Sequence, residues 1–311
     1  WGYPATITFG EAVFALPLIR AFQTNSTPIA YGYETALGGM AKLTKRMRTH
    51  AFFAGFDFKS FDKTVPTWLI NIAFDILALN IDFVNYDEYG VADARRMLRM
   101  FERLKDYFIN TAIRSADGRR YRKSSGIASG SYFTQLVGSI VNHILCCWIT
   151  LEQLGTLPTD ILVLGDDSII GSHKPLSIAL ANALMKTIGM SINLVKSQIT
   201  SELETLKFLG YAIGYGIPRK ARNDLIASLY FPEAPDLSYA AVQSRALGLL
   251  YANMGVDKWF DHYCRSIILD KPFDLILSRN FERMLTFIGV NIDMMRTGHL
   301  PTQLEFVRRM I

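Results

Sequence analysis

The sequence predicts an α+β domain followed by a mostly helical one. Between Ala51 and Ile213, short apolar runs bounded by turn residues alternate with stretches of helical spacing, whereas from about Tyr239 onward only helical spacing remains. No internal repeat or low-complexity tract is present, which excludes a solenoid or array. At 311 residues the chain has room for about two domains, and 50% hydrophobic against 20% charged residues provides a core and excludes a disordered tail.

The first strand is the aromatic, apolar run Ala51–Phe56, ending at Asp57. Thr64 and Pro66 mark a helix start, with Thr64 as cap. Trp68, Leu69, Ile72, Ala73, Ile76 and Leu77 form its core-facing stripe. Residues 82–124 are more polar, with a helix predicted over 92–109 and a turn at Asp117-Gly118, before the basic, aromatic cluster Arg119, Arg120, Tyr121, Arg122 and Lys123. A loop of small residues, Ser124–Ser131, leads into an apolar helix over 132–151. Ile161–Leu164 and Ser168–Gly171 are β-rich runs flanking Gly165-Asp166-Asp167, the signature of a hairpin. After Pro175, Leu180, Ala181, Leu184, Met185 and Ile188 recur at helical spacing, and Phe208–Ile213 reads as one short strand. Helices follow over 239–252, 257–268 and 280–289.

Thirty-three Lys and Arg against 28 Asp and Glu give a net charge of +5, a mild excess that permits a polyanionic partner without demanding one. No run of 18 apolar residues occurs, since Asn142 and His143 interrupt the best candidate, so a membrane is not expected as a partner. Cys146, Cys147 and Cys264 fit neither a disulfide framework nor a zinc template, which points to a reducing compartment. The five histidines include no pair at metal-binding spacing. Trp1 stands where an initiating Met would, so the sequence is read as a fragment or a processed product.

The chemistry is carried by acids at strand ends. Asp57 closes the first strand, and Asp62 lies in the turn or helix start beyond, where it can reach back. Asp166 and Asp167 sit side by side at the hairpin tip, where Gly165 permits a tight backbone. Adjacent carboxylates repel unless a cation neutralises them, and such oxygen donors suit Mg²⁺ or Mn²⁺. Two such ions about 3.5–4 Å apart stabilise the attacking and leaving oxygens of phosphoryl transfer. An acidic hairpin tip is often only a solvated turn. Here the flanking runs are apolar enough to lie in a buried sheet, and a second acidic strand end stands upstream, so the metal reading is preferred.

At this point the residues resemble a family. Asp57-x4-Asp62, then Ser125-Gly126-Ile127-Ala128-Ser129-Gly130-Ser131-Tyr132-Phe133-Thr134, then Gly165-Asp166-Asp167 look like motifs A, B and C of viral RNA-directed RNA polymerases. Gly189–Asn193 through Lys196-Ser197 is similar to motif D, and Phe208-Leu209-Gly210 to motif E, all in the family's order over residues 51–213. Trp1-Gly2-Tyr3-Pro4 and the run from Ser129 to Gln135 look most like the partitivirus-like polymerases of double-stranded RNA viruses.

The resemblance implies a right-hand fold: a remnant of fingers over 1–50, a palm with an antiparallel sheet over 51–215 carrying a fingers insertion at about 82–124, and a helical thumb over 216–311. It implies transfer of nucleotides from ribonucleoside triphosphates to an RNA 3′-OH, with two Mg²⁺ or Mn²⁺ ions held by Asp57, Asp166 and Asp167. Asp62, Ser129, Gly130, Thr134 and Asn142 would line the ribose, and Lys196 would protonate the departing pyrophosphate. Arg119, Arg120, Tyr121, Arg122 and Lys123 would contact the template. Template and nascent RNA and a viral capsid protein are the implied partners, in the virion interior or the host cytoplasm.

Two departures stand out. Gly138 occupies the position where related enzymes carry an Asn or Asp that reads the 2′-OH, so either Ser139 or Asn142 compensates, or the reading rests on Asp62 and Thr134. The basic motif F expected before Trp1 is not in the sequence, so residues 1–311 alone are expected to be inactive or very weakly active. A reverse transcriptase and a non-catalytic RNA-binding palm are the alternatives; the Ser-Gly-rich motif B and the intact acids rank them lower. A metal phosphohydrolase would carry histidines beside its acids, and none lies near these.

Overall fold

The computed structural model describes residues 3–85, 93–270, 279–296 and 298–311. The chain begins with helices α1 (Ala5–Thr24) and α2 (Gly39–Met47), strand β1 (Phe52–Gly55), and helices α3 (Phe61–Thr64), α4 (Thr67–Leu79) and α5 (Ala94–Ile109). Strands β2 (Ala112–Arg114) and β3 (Arg120–Arg122) precede helix α6 (Phe133–Leu154), strands β4 (Asp160–Leu164) and β5 (Asp167–Ser172), helix α7 (Ile178–Lys186) and strand β6 (Gln198–Thr200). Two short strands follow, β7 (Lys207–Phe208) and β8 (Tyr211–Ala212). The remainder is helical: α8 (Arg222–Tyr230), α9 (Tyr239–Asn253), α10 (Lys258–Leu269), α11 (Arg279–Phe287), α12 (Ile292–Arg296) and α13 (Gln303–Met310).

These elements form two compact units, Trp1–Gly32 with His50–Ser201, and Tyr33–Thr49 with Glu202–Ile311. The division differs from the expected boundaries at 50 and 215. Residues 33–49 and the β7–β8 pair both go with the helical unit.

The first unit is built on a four-stranded sheet in the order β4-β5-β1-β6, with every neighbouring pair antiparallel. Ile161, Leu162, Val163, Ile169 and Ile170 are all buried, which explains why these strands read as unbroken apolar runs rather than alternating ones. Helix α6 packs against β4 and β5. An aromatic cluster ties the helices together: Phe74 of α4 meets Phe108 of α5 and Phe133 of α6 edge-on, each at 5.1 Å, and Phe101 meets Phe14 of α1 at 5.4 Å.

Several expectations shift in detail. Thr64 closes the short α3 rather than capping α4, whose first turn follows Pro66. The buried stripe of α4 is Leu69, Ile70, Ala73, Phe74 and Leu77, while Trp68 and Ile72 are 52% and 41% exposed. Phe208–Ile213 is two strands joined by a turn at Leu209-Gly210, not one. Helices α1 and α6 are long and apolar enough in composition to cross a membrane, which a search for an unbroken apolar run passes over; most of the α6 stretch is buried inside the fold.

In the second unit Leu225, Leu247, Leu250, Phe260, Leu285 and Phe306 gather helices α8 to α11 and α13 around one core. Helix α13 starts with a reciprocal cap between Thr302 and Glu305. All three cysteines are free, with Cys146 and Cys264 buried.

Phe74 is fully buried with three aromatic rings around it, so Phe74→Ala leaves a cavity lined by atoms that cannot all collapse into it. Chemical denaturation should show a loss of about 3–5 kcal/mol.

Candidate active site

Every side chain of the acidic constellation belongs to the first unit, at the end of the sheet where β1 finishes and β5 begins. Strands β1 and β5 pair in the register Phe52↔Ser172, Phe53↔Gly171 and Ala54↔Ile170. Carried past the end of β1, the same register brings Asp57 to the level of Asp167. The backbone of Asp57 is fixed from the other side: its N–H donates to Ser197 Oγ at 2.9 Å, and its carbonyl accepts from Asn193 N at 2.7 Å.

Between β4 and β5 the turn is only Gly165-Asp166, with Leu164 paired to Asp167. Gly165 takes φ 62, the positive angle that a two-residue hairpin requires at its first position. Helix α6 holds this turn from beneath. Gly165 N donates to Ser139 Oγ at 2.8 Å, and Asn142 Nδ2 donates to the carbonyls of Gly165 and Asp167, both at 3.0 Å. The helix lies close under the turn at Gly138, where a Cβ would stand in ordinary contact with Gly165 Cα at 3.6 Å and Phe61 Cε1 at 3.7 Å.

Asp62 is brought back to the site by a reversal at Ser60, a non-glycine residue held at φ 51. The helix that carries it is stitched to the small-residue loop. Ile127 N donates to the Asp62 carbonyl and Gly126 N to the Val65 carbonyl, each at 2.7 Å, while Ser125 Oγ donates to the Lys63 carbonyl at 3.0 Å. Only glycine fits position 126: its φ is 85, and a Cβ would stand 2.4 Å from the Asp62 carbonyl oxygen. Surrounding protein desolvates the Asp62 carboxyl and lifts it above the usual range, and the negative charge of nearby Asp166 adds to the lift.

Among the described residues, neither the Asp57 nor the Asp166 carboxylate has a hydrogen-bonded or ion-paired partner in the protein. No three His, Cys, Asp or Glu side chains among them converge to hold a metal unaided. Carboxylates grouped at one sheet end and left without a protein cation fit an ion of the Mg²⁺ type, which takes one or two carboxylates and completes its shell with water and substrate phosphates.

The viral RNA-dependent RNA polymerase family matches residues 1–269, most of the chain. The chain belongs to this polymerase family. It is 24% identical over 303 residues to the RNA-directed RNA polymerase of Atkinsonella hypoxylon virus, covering 83% of this chain and 45% of that protein. The corresponding enzyme of Cryptosporidium parvum virus 1 is 29% identical over 279 residues, covering 81% and 50%. The chain thus spans about half the length of the curated relatives it matches. Among solved structures, the RNA-dependent RNA polymerase of a human picorbirnavirus superposes with a TM-score of 0.68 at 18% identity, over 86% of this chain and 51% of that one. The fold is therefore that of the polymerases, with the α+β sheet as its palm.

Within this polymerase fold the other expected residues fall into groups. Ser129 and Gly130 are exposed, and half-buried Thr134 donates its hydroxyl to the Ala128 carbonyl at 2.6 Å, bracing the loop from inside. Lys196 is exposed on the turn that supports Asp57; its N–H donates to Asn193 Oδ1 at 3.4 Å, and its ammonium has no partner among the described residues. Arg119, Arg120, Tyr121 and Arg122 are exposed along the β2–β3 ribbon.

Three expected residues lie elsewhere than their assignment required. Asn142 is fully buried, its amide occupied by the hairpin carbonyls and its Oδ1 accepting from Cys146 Sγ at 3.2 Å, so it offers nothing to a ribose. Ser139 is likewise buried beneath the turn. Lys123 turns inward, its ammonium donating to the Gly126 carbonyl and lying 5.1 Å over the Phe108 ring, so its charge is already engaged within the protein. The reading of the sequence also passed over Glu11, whose signal is a lone acid in the apolar helix Ala5–Thr24.

Replacing Asn142 by Leu leaves the carbonyls of Gly165 and Asp167 unsatisfied in the interior, and should lower stability by about 2–4 kcal/mol in chemical denaturation. Burial pushes the Lys123 amine down to about 8 from an ordinary 10.5. The folded chain then binds fewer protons than the unfolded one between these values, so this residue's contribution to stability rises as pH increases through that window. Melting curves of wild type and Lys123→Met from pH 7 to 10.5 should differ by a term that grows in favour of wild type above pH 8.

Proposed function

We propose that the enzyme carrying this chain is an RNA-directed RNA polymerase that joins ribonucleoside triphosphates to an RNA 3′-OH on an RNA template. The observation that supports this best is the grouping of Asp57, Asp62 and Asp166 at one end of the sheet, on backbones fixed from three directions. Asp57, Asp166 and Asp167 would hold two divalent ions. Bound there, such ions supply charge neutralisation for the attacking and leaving oxygens.

The remaining work is positioning by the chain's own residues. Asp62 accepts a hydrogen bond from the ribose 2′-OH, which a deoxyribonucleotide lacks. With Asn142 and Ser139 occupied beneath the hairpin and a glycine at 138, this discrimination falls on Asp62, aided by Ser129 and Gly130 of the adjoining loop and by Thr134 in the first turn of α6. Lys196, and Lys59 two residues after Asp57, face the triphosphate, with Lys196 giving a proton to the departing pyrophosphate. Arg119, Arg120 and Arg122 neutralise template phosphates, and Tyr121 between them stacks on a base. Relatives are polymerases of double-stranded RNA viruses, which supports replication inside a particle with a capsid protein as partner, in the host cytoplasm.

Primer extension by the full-length enzyme that carries this chain tests the reading. Asp57→Asn or Asp166→Asn should cut elongation on the order of 10³-fold or more, with the melting temperature holding or rising because carboxylate repulsion is relieved. Near-normal elongation by either variant in Mg²⁺ would remove these residues from the site. In single-nucleotide kinetics, Asp62→Ala should reduce the preference for ribo- over deoxyribonucleotides on the order of tenfold. Asn142→Ala should change that preference less than it changes stability.

A further inference from the structure

Glu11 is fully buried in helix α1, where the other charged residue is Arg20. Both of its oxygens are engaged. Oε1 accepts from the Tyr3 hydroxyl at 2.7 Å, and Oε2 accepts from Ser131 Oγ at 2.8 Å and from Tyr132 N at 3.0 Å. Ser131 Oγ in turn accepts from Phe133 N at 3.0 Å, at the first residue of α6. Tyr3 also packs beneath the loop: a Cβ on Gly130, whose φ is 96, would stand 3.1 Å from Tyr3 Cβ.

A buried carboxylate is costly, and an apolar side chain would fill the same space without that cost. What the carboxylate offers is acceptor capacity on both oxygens toward three donors arriving from different directions. The donors belong to the C-terminal end of the Ser125–Ser131 loop and to Tyr3. At its other end the loop is tied to the Asp62 backbone through Ile127 N. Ser129 and Gly130 hang exposed between the two anchors, so their placement relative to Asp62 is set by where Glu11 holds Ser131.

We propose that Glu11 is the positioning residue of the ribose loop, acting through Ser131 and Tyr132 to fix Ser129 and Gly130 beside the sugar of the incoming nucleotide. The inference rests on the polymerase reading and adds to it a residue about 120 positions upstream of the loop it controls.

The test uses the full-length enzyme that carries this chain, with Glu11→Ala, Glu11→Gln or Tyr3→Phe, and Leu18→Ala as a control that removes buried volume from the same helix away from the loop. Single-nucleotide incorporation of ribo- and deoxyribonucleotides is measured beside melting temperature and amide hydrogen exchange over 128–134. Glu11→Ala should raise KM for the ribonucleotide about tenfold and reduce sugar preference by a similar factor, with kcat changing less than about threefold. Glu11→Gln should recover most of both, since its oxygen can still accept from Ser131 and Tyr132 while its amide donates to the Tyr3 hydroxyl. Tyr3→Phe, which removes one donor, should give a smaller change of the same kind and serves if Glu11→Ala does not fold. Leu18→Ala should lower the melting temperature and leave KM and sugar preference unchanged.

An equal KM rise in Leu18→Ala at matched loss of melting temperature would overturn the proposal, as would unaltered KM and preference in Glu11→Ala. If the full-length enzyme that carries this chain makes no RNA, the polymerase reading fails on its own, and exchange decides the loop. Faster exchange over 129–134 in Glu11→Ala, or in Tyr3→Phe, than in Leu18→Ala supports the anchor, and equal exchange refutes it.

Discussion

Two neighbouring aspartates repel each other at a hairpin tip, and the strand pair that carries them has no room for a longer, more accommodating turn. What holds Asp166 and Asp167 in place is a set of three hydrogen bonds linking the turn to helix α6 through Ser139 and Asn142. Each partner is buried, where a hydrogen bond is strong and an unmet polar group expensive. Helix α6 is in turn fixed by its apolar face against β4 and β5 and by Phe133 in the aromatic cluster. The position of the acids is therefore set by packing well behind them. Whatever the acids bind meets a surface that is already shaped.

The second acidic strand end is held by a different logic. Asp57 follows a short strand, and its backbone is clamped by the turn at Asn193–Ser197. Asp62 depends on the strained reversal at Ser60 and on the loop that grips the backbone of α3. Support thus comes from segments far apart in sequence: one clamp from downstream of α7, one from just ahead of α6, and one from α6 itself. Local sequence around Asp57 and Asp62 contains none of these supports, although it contains the chemistry they serve.

This explains which parts of the molecule were legible from the sequence. Asp57, Asp62 and the Gly165-Asp166-Asp167 turn could be read because apolar runs ending in acids have few other interpretations in a buried sheet. Helices α9, α10 and α11 of the second unit could be read from spacing, whereas the shorter α2, α8, α12 and α13 were not assigned. The face of α4 could not be phased, because a helix apolar nearly all round has no polar side to set its rotation, and Ile72 and Ile76 look as good as Ile70 and Phe74. The turn at Leu209-Gly210 was hidden because leucine is an unusual residue at a positive φ. Asn142 and Lys123 were assigned to nucleotide and template by chemistry that is equally suited to holding backbone carbonyls. Only their burial separates the two uses.

The stitching of the loop to α3 also divides the chain in another sense. Ser125 and Lys63 are 62 residues apart, and their contact closes everything between them into a tethered excursion that leaves and returns at one place. Within it the turn at Asp117-Gly118 is solvent-exposed, and nothing lies within 4 Å of where a side chain on Gly118 would begin. Closure entropy grows only with the logarithm of length, about 0.6 kcal/mol for each doubling. Extra sequence inserted at that turn would therefore leave the acids almost undisturbed, making it a natural point at which a protein of this kind can gain length, new contacts or a reporter without retuning its chemistry.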